Sequence, residues 1–140
     1  MPMDINENFS QMNDIDFIEE VDNLTAKDFE EAYRVLSSML HKCKKAQEKL
    51  SKEKWQWKLM ENIIRALEIA LPIIINSSNI ILPKNVFEDV IHELSSTLDK
   101  TVKIREKLRK GSSQWALNKN RIRALQIAIV LLSGKQNEKE

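Results

Sequence analysis

Residues 48–67, EKLSKEKWQWKLMENIIRAL, recur 58 positions later as residues 106–125, EKLRKGSSQWALNKNRIRAL. The match extends without a gap from residues 24–74 onto residues 82–132, and 23 of the 51 aligned pairs are identical. A gapless match of this length indicates that one structural unit has been duplicated. Such a unit hides its apolar face by stacking on its twin.

The apolar residues of both copies follow the period of an α-helix. In the first copy they recur every three or four residues over 29–50, and a more apolar run covers 60–74; residues 87–108 and 117–132 repeat this arrangement. This spacing places the apolar side chains along one face of each helix. We therefore predict an all-α fold, in which two tandem antiparallel helical hairpins form a four-helix bundle with the second helix of each hairpin at the centre.

The predicted organisation has three parts. A short acidic N-terminal arm covers residues 1–23, and a polar tail covers 135–140. The bundle between them consists of repeat 1 (24–75), a linker (76–82) and repeat 2 (83–134).

Capping residues suggest where the helices begin and end. Thr25 followed by Asp28, and Asn85 followed by Glu88, place a capping side chain three residues before an acid, which predicts helix starts. Ser133-Gly134 predicts the end of the last helix. In repeat 2, Lys110-Gly111-Ser112-Ser113 supplies a terminating glycine and then a capping serine. The equivalent stretch of repeat 1, residues 52–55, contains no helix breaker, so a turn at 51–55 and one continuous helix are both open.

Size and composition limit the class of protein. A chain of 140 residues with 42% hydrophobic residues is long enough for one core, and a net charge of +1 gives no global field that attracts nucleic acid or membrane. The most apolar stretch, 63–82, includes Arg65 and Glu68, so it predicts a buried helix and linker rather than a membrane span. One cysteine and the absence of a secretory signal in MPMDINEN predict a cytoplasmic protein.

The N-terminal arm and the hairpin tips have opposite charge. Residues 1–31 contain ten acidic residues and one basic residue, and the arm is interpreted as exposed or as a segment that docks on a basic surface or a partner. Residues 34–65 contain nine basic and three acidic residues, and residues 99–123 contain nine and two. Lysine and arginine neutralise phosphates while tryptophan stacks on bases or sits against headgroups. The candidate binding surface comprises Lys52, Lys54, Trp55, Trp57, Lys58, Arg105, Lys107, Arg109, Lys110 and Trp115.

A purely structural interpretation of these tips is also open. Cations near a helix C-terminus complement the helix dipole, and duplication copies them without any selection for binding. The tryptophans can close the end of the core.

Catalytic chemistry finds no support in the sequence. His41 and His92 do not occupy equivalent repeat positions, and only two glycines are present, so neither a bundle metal site nor a phosphate-cradling loop is predicted. We expect no enzymatic activity, metal, cofactor or small-molecule substrate.

Arg123 is expected to pair with Asp99 across its hairpin.

Three functional hypotheses follow. The first is a small non-catalytic interaction or adaptor protein that presents helix faces to a protein partner or forms a homodimer, using apolar surface at residues 73–75 and 80–82. The second is a nucleic-acid-binding protein that uses the Lys/Arg/Trp tips. The third is a helical protein at the membrane surface, similar to bacteriocin immunity proteins. Residues 111–125 are similar to segments of small helical proteins of AT-rich bacteria and their phages, a likeness that identifies no family.

Overall fold

The computed structural model describes residues 23–75 and 81–139, with side chains as far as residue 135. Within that part of the chain there are four helices and no strand: α1 (Ala26–Glu48), α2 (Trp55–Ile75), α3 (Lys84–Arg105) and α4 (Ser113–Lys139). The predicted all-α class and four-helix bundle are confirmed. The predictions for the acidic arm before Asn23 and for linker residues 76–80 lie outside the described residues.

Helix boundaries follow the repeat. The first residues of α1 and α3 are 58 positions apart, and so are those of α2 and α4. Repeat 1 therefore contains a turn, and the continuous-helix alternative is wrong. The first turn contains no glycine, and its C-cap residue Lys49 stays in the right-handed region with φ of −89°, whereas the second loop contains Gly111 with φ of +89°. The Lys54 amide then donates to the Ser51 carbonyl at 3.0 Å, just before α2.

Short loops determine the direction of the helices. The six-residue loop 49–54 spans at most about 21 Å, which is less than the roughly 34 Å length of α1, so α2 must return antiparallel to it. Each helix packs against the next along the chain, and α1 packs against α4 to close the bundle. Helices α2 and α4 also contact each other across the diagonal, as expected for the two central helices. Both hairpin loops consequently lie at one end of the bundle.

The core uses equivalent residues from both repeats. Leu36 and Leu94 are fully buried at matching positions of α1 and α3, and Leu67 and Leu125 are fully buried at matching positions of α2 and α4. Fully burying one leucine stabilises the fold by about 1.5 to 3 kcal/mol. The duplicated apolar stripes therefore stabilise a single shared core.

The two grooves between the hairpins are also equivalent. The α2/α3 groove, with a volume of about 230 Å³, and the smaller α4/α1 groove, with about 40 Å³, are lined by residues that correspond under the 58-residue shift. On α2 and α4 these residues are Asn62, Arg65, Ala66 and Ile69, and Asn120, Arg123, Ala124 and Ile127. The hairpins thus pack in the manner of a twofold-symmetric pair.

Arg123 does not pair with Asp99, so that expectation is wrong. It faces α1, where its guanidinium lies 3.6 Å from the Asp28 carboxylate across the α4/α1 groove. The same Asp28 carboxylate accepts from the Thr25 amide, and this hydrogen bond, with a smaller contribution from Arg123, lowers the pKa of Asp28. The ion pair therefore joins the two hairpins, whereas the expected one lay within a hairpin.

Two helix boundaries differ from the predictions, and two agree with them. Thr25 and Asp28 form the predicted capping box of α1, and Ser112 caps α4 by accepting from the Trp115 amide. Helix α3, however, begins behind Pro83 rather than at an Asn85 cap, because the fixed φ of proline suits a helix start. Helix α4 continues past Gly134 to Lys139, since this glycine does not adopt a positive φ.

Candidate functional site at the loop end of the bundle

Cations are concentrated at the end of the bundle that carries both loops. We define the basic end as residues 42–61 and 100–119, which comprise the two loops, the last turns of α1 and α3 and the first turns of α2 and α4. These residues include fourteen basic and four acidic side chains, although the whole chain carries a net charge of only +1. All ten residues of the predicted binding surface belong to it. Two tips that look separate in the sequence therefore form one surface.

Exposure differs among the aromatic residues of this surface. Trp55 is 68% exposed at the start of α2, while Trp57 and Trp115 are half-buried. None of the three belongs to the hydrophobic core. The structural interpretation, in which the tryptophans close the end of the core, therefore does not apply to Trp55. Its exposed indole is available to an external partner.

Aliphatic side chains are exposed among the cations as well. Leu59 and Leu117, which are repeat equivalents, are each 39% exposed, and Ile104 is 52% exposed at the last turn of α3. With Trp55 they account for four of the six large hydrophobic residues exposed within the described chain. Apolar side chains grouped on a polar surface are typical of interaction sites.

In the first hairpin a hydrogen-bonded pair joins the two helices near the loop. The Gln47 side-chain amide of α1 donates to the Glu61 carboxylate of α2 at 2.8 Å and to the Trp57 carbonyl at 3.3 Å. In the loop itself the Ser51 hydroxyl donates to Glu53 and lowers the pKa of this exposed carboxyl. The first hairpin thus keeps carboxylates among its lysines.

In the second hairpin the same two positions carry cations. Arg105 replaces Gln47 and Lys119 replaces Glu61, and their charged groups lie 5.2 Å and 5.6 Å from the centroid of the Trp115 ring. Such cation–π contacts hold a cation beside the ring without neutralising it. Neither cation forms an ion pair with a carboxylate of the described residues.

Local sequence explains why Trp115 lies between these cations. Gly111 supplies the turn, and the Ser112 hydroxyl accepts from the Trp115 amide at 3.1 Å, which fixes Trp115 in the first turn of α4. Lys119 lies four residues later, on the same face of the helix. Arg105 ends α3 and reaches the ring from the neighbouring helix.

Sequence inspection missed Lys119, Gln47 and Glu61. The available clue was the charge reversal from Glu61 to Lys119 at equivalent positions of an otherwise well-matched repeat. The importance of this change becomes clear only when both residues are seen beside the tryptophan of their own hairpin. The second hairpin therefore has an unneutralised positive centre that the first lacks.

Apolar surface at the opposite end is smaller than the sequence predicts. Ile73 and Ile74 are buried in the core, so they contribute little exposed surface, while Ile75 and Ile81 are exposed. Ile75 borders an open groove of about 510 Å³. The residues lining this groove are Ala26, Phe29, Glu30, Tyr33, Ile74, Ile75 and Leu131.

Other reactive residues are scattered. His41 and His92 are exposed on different helices, and within the described ranges no three metal-ligating side chains come together. Burial raises the pKa of the Cys43 thiol, and nearby Arg121 partly offsets this effect.

None of the four helices, as far as the structure describes them, has the length and apolarity needed to cross a bilayer.

Comparisons with known proteins give no match. No family model, curated protein or solved structure matches the chain.

Proposed function

We propose that the protein is a non-catalytic nucleic-acid-binding module that acts through its basic end. The observation that carries this proposal is the shared position of the two loops, which gathers fourteen cations on one surface. Neutralising phosphates with lysine and arginine releases counterions, which supplies most of the affinity of non-specific binding. An exposed Trp55 adds a ring on which a base can stack.

The shape of the surface favours nucleic acid over a bilayer. The cations run from the loops along two turns of each helix, down the sides of the bundle for about 10 Å. A flexible strand can follow such a curved surface, whereas a flat membrane meets mainly the loops. Leu59 and Leu117 lie in the second turns of their helices, behind the loops. These positions support contact with a strand that wraps the end.

Fluorescence anisotropy with a labelled single-stranded oligonucleotide tests the proposal. We expect binding at low salt that weakens steeply as salt increases. Replacing the equivalent loop lysines, Lys52→Gln with Lys110→Gln, should reduce the slope of log K against log salt by about 1.4, because each phosphate contact contributes about 0.7. The control, Lys27→Gln with Lys135→Gln, removes the same charge far from the loops and should change little.

Two results would contradict the proposal. One is the absence of any oligonucleotide complex at low salt. The other is binding to anionic vesicles, or to an acidic protein, that is tighter than binding to the oligonucleotide at the same salt concentration.

The acidic N-terminal sequence provides a second test. Residues 1–22 contain seven acidic residues and no basic one, so they compete with phosphate for the same cations. A chain that begins at Asn23 should bind the oligonucleotide more tightly than the full chain. Equal affinities would show that this segment does not reach the basic end.

A second candidate function is self-association through the apolar groove beside Ile75. A second copy is the expected occupant, because like charges keep two basic ends apart while this groove is mainly apolar. Sedimentation velocity of the full chain should detect a dimer that Ile75→Glu abolishes and Lys58→Glu preserves. A monomer at all concentrations, or a dimer unaffected by Ile75→Glu, would rule this candidate out.

A further inference from the structure

The two hairpins share one backbone plan but differ at the residues that join their helices near the loop. Gln47 and Glu61 form a hydrogen bond in the first hairpin, and Arg105 and Lys119 flank Trp115 in the second. The tryptophans themselves, Trp57 and Trp115, occupy equivalent positions, and both are half-buried. The two hairpins can therefore be compared as the same structural position carrying two different pairs of side chains.

We infer that the second hairpin holds a phosphate-binding site formed by Arg105 and Lys119 beside Trp115, and that the first hairpin lacks it. This inference rests on the proposed function and specifies where on the basic end a phosphate group is held. The ligand is the phosphodiester group of a nucleic acid, and binding of a lipid headgroup in its place is an outcome that the test distinguishes.

Distances make the two cations suitable for one phosphate group. Both charged groups lie within 6 Å of one ring centroid, so they are at most about 11 Å apart, and reorientation of the two long side chains can bring both to one anion beside the ring. Arginine offers a planar fork that matches two phosphate oxygens, and lysine adds a compact charge. The ring holds both side chains near each other before the ligand arrives, which reduces the entropy lost on binding.

Electrostatics at the second hairpin also favour an anion. Two like charges beside one ring repel each other, and no carboxylate of the described residues pairs with either. A phosphate would relieve that repulsion. In the first hairpin Glu61 already supplies a negative charge, and the Gln47 amide nitrogen donates to it, so a phosphate there would be repelled.

Exchange of the two residue pairs between the hairpins tests the inference. Arg105→Gln with Lys119→Glu converts the second hairpin to the first, and this pair already joins two helices of the same protein, so the fold should survive. We expect at least a tenfold loss of oligonucleotide affinity, since a hydrogen bond to a charged group is worth that factor. The converse variant, Gln47→Arg with Glu61→Lys, should gain affinity.

A charge-matched control distinguishes a specific phosphate-binding site from general electrostatic attraction by the basic end. Lys52→Gln with Lys58→Glu lowers the charge of the basic end by the same three units on the first hairpin. If this control weakens binding as much as the Arg105/Lys119 variant does, no specific site exists and the inference fails while the proposed function stands. If the unaltered protein binds no oligonucleotide, the proposed function fails.

Tryptophan fluorescence gives a second measurement that does not depend on the oligonucleotide. In a Trp55→Phe, Trp57→Phe background, inorganic phosphate should change Trp115 emission, and Arg105→Gln with Lys119→Glu should abolish the change. Phosphatidylglycerol vesicles and the oligonucleotide, compared at equal phosphate, identify the source of the group. An emission that none of the three ligands alters would overturn the inference.

Discussion

Replacement of Asn118 by leucine should stabilise the protein. Asn118 is 6% exposed between α3 and α4, and its amide donates to the Thr101 carbonyl at 3.0 Å. Its side-chain oxygen is buried and accepts no hydrogen bond from the described residues. In the first hairpin the equivalent residue is Met60, so a non-polar side chain already occupies this position of the shared plan.

The expected gain follows from two opposing contributions. A buried acceptor without a donor costs about 1 to 3 kcal/mol, and one amide hydrogen bond returns about 1 kcal/mol. Leucine has the same branching as asparagine and removes both contributions. The Thr101 carbonyl lies inside α3, where the amide four residues later is its regular partner. The net change is a gain of about 1 kcal/mol, which raises Tm by about 3 °C for a domain of this size.

Urea unfolding followed by circular dichroism measures this change. The control is Asn120→Leu, which adds the same side chain at an exposed position and should stay within about 0.5 kcal/mol of the original. If Asn118→Leu lowers the free energy of unfolding by about 1 kcal/mol or more, the side-chain oxygen has a partner and the reasoning is refuted.

Three further predictions concern the cap, the glycines and the cysteine. Asp28→Asn removes a negative charge near the N-terminus of α1 and should lower the free energy of unfolding by about 0.3 to 1 kcal/mol at neutral pH. Because the folded pKa of Asp28 is below its ordinary 3.8, the loss should disappear as pH falls through the folded value in acid titrations. Gly134→Ala should raise thermal stability by about 0.5 to 1 kcal/mol, since nothing lies within 4 Å of the added carbon, whereas Gly111→Ala should lower it because φ is +89°. The raised pKa of Cys43 should make its alkylation by iodoacetamide slower in the folded than in the unfolded chain at pH 8; equal rates would contradict this assignment.

The repeat predicted most of the fold. Hydrophobic periodicity predicted four helices. At residues 51–55, where no breaker is present, the sequence left a turn and a continuous helix both open, and the structure shows the turn. The 58-residue shift would have located the start of α3, because Pro83 corresponds to the capping Thr25. Local capping patterns misplaced that start because asparagine followed by glutamate is common outside helix caps. Helix α4 continues past Gly134 because the low helix propensity of a single glycine is too small an effect to end a helix.

The candidate site was predictable only in part. Composition identified ten residues of the basic end, but their meeting at one surface follows from the antiparallel order of all four helices. Contacts between hairpins, such as Arg123 with Asp28, need the relative rotation of the helices, which periodicity does not supply. The contrast between Gln47–Glu61 and Arg105–Lys119 was present in the sequence, yet its chemistry depends on distances to a ring.

The matching grooves between the hairpins have an evolutionary implication. In a symmetric dimer the same surface of each subunit packs against its copy, and the two hairpins pack in this way. The chain is therefore equivalent to two subunits of such a dimer joined into one polypeptide. Fusion raises the local concentration of one half near the other into the millimolar range. Each half is then free to mutate on its own, because it no longer has to serve both sides of a dimer at once. A dimer of identical chains cannot carry a carboxylate in one subunit and an ammonium group at the same place in the other, whereas a fused pair can.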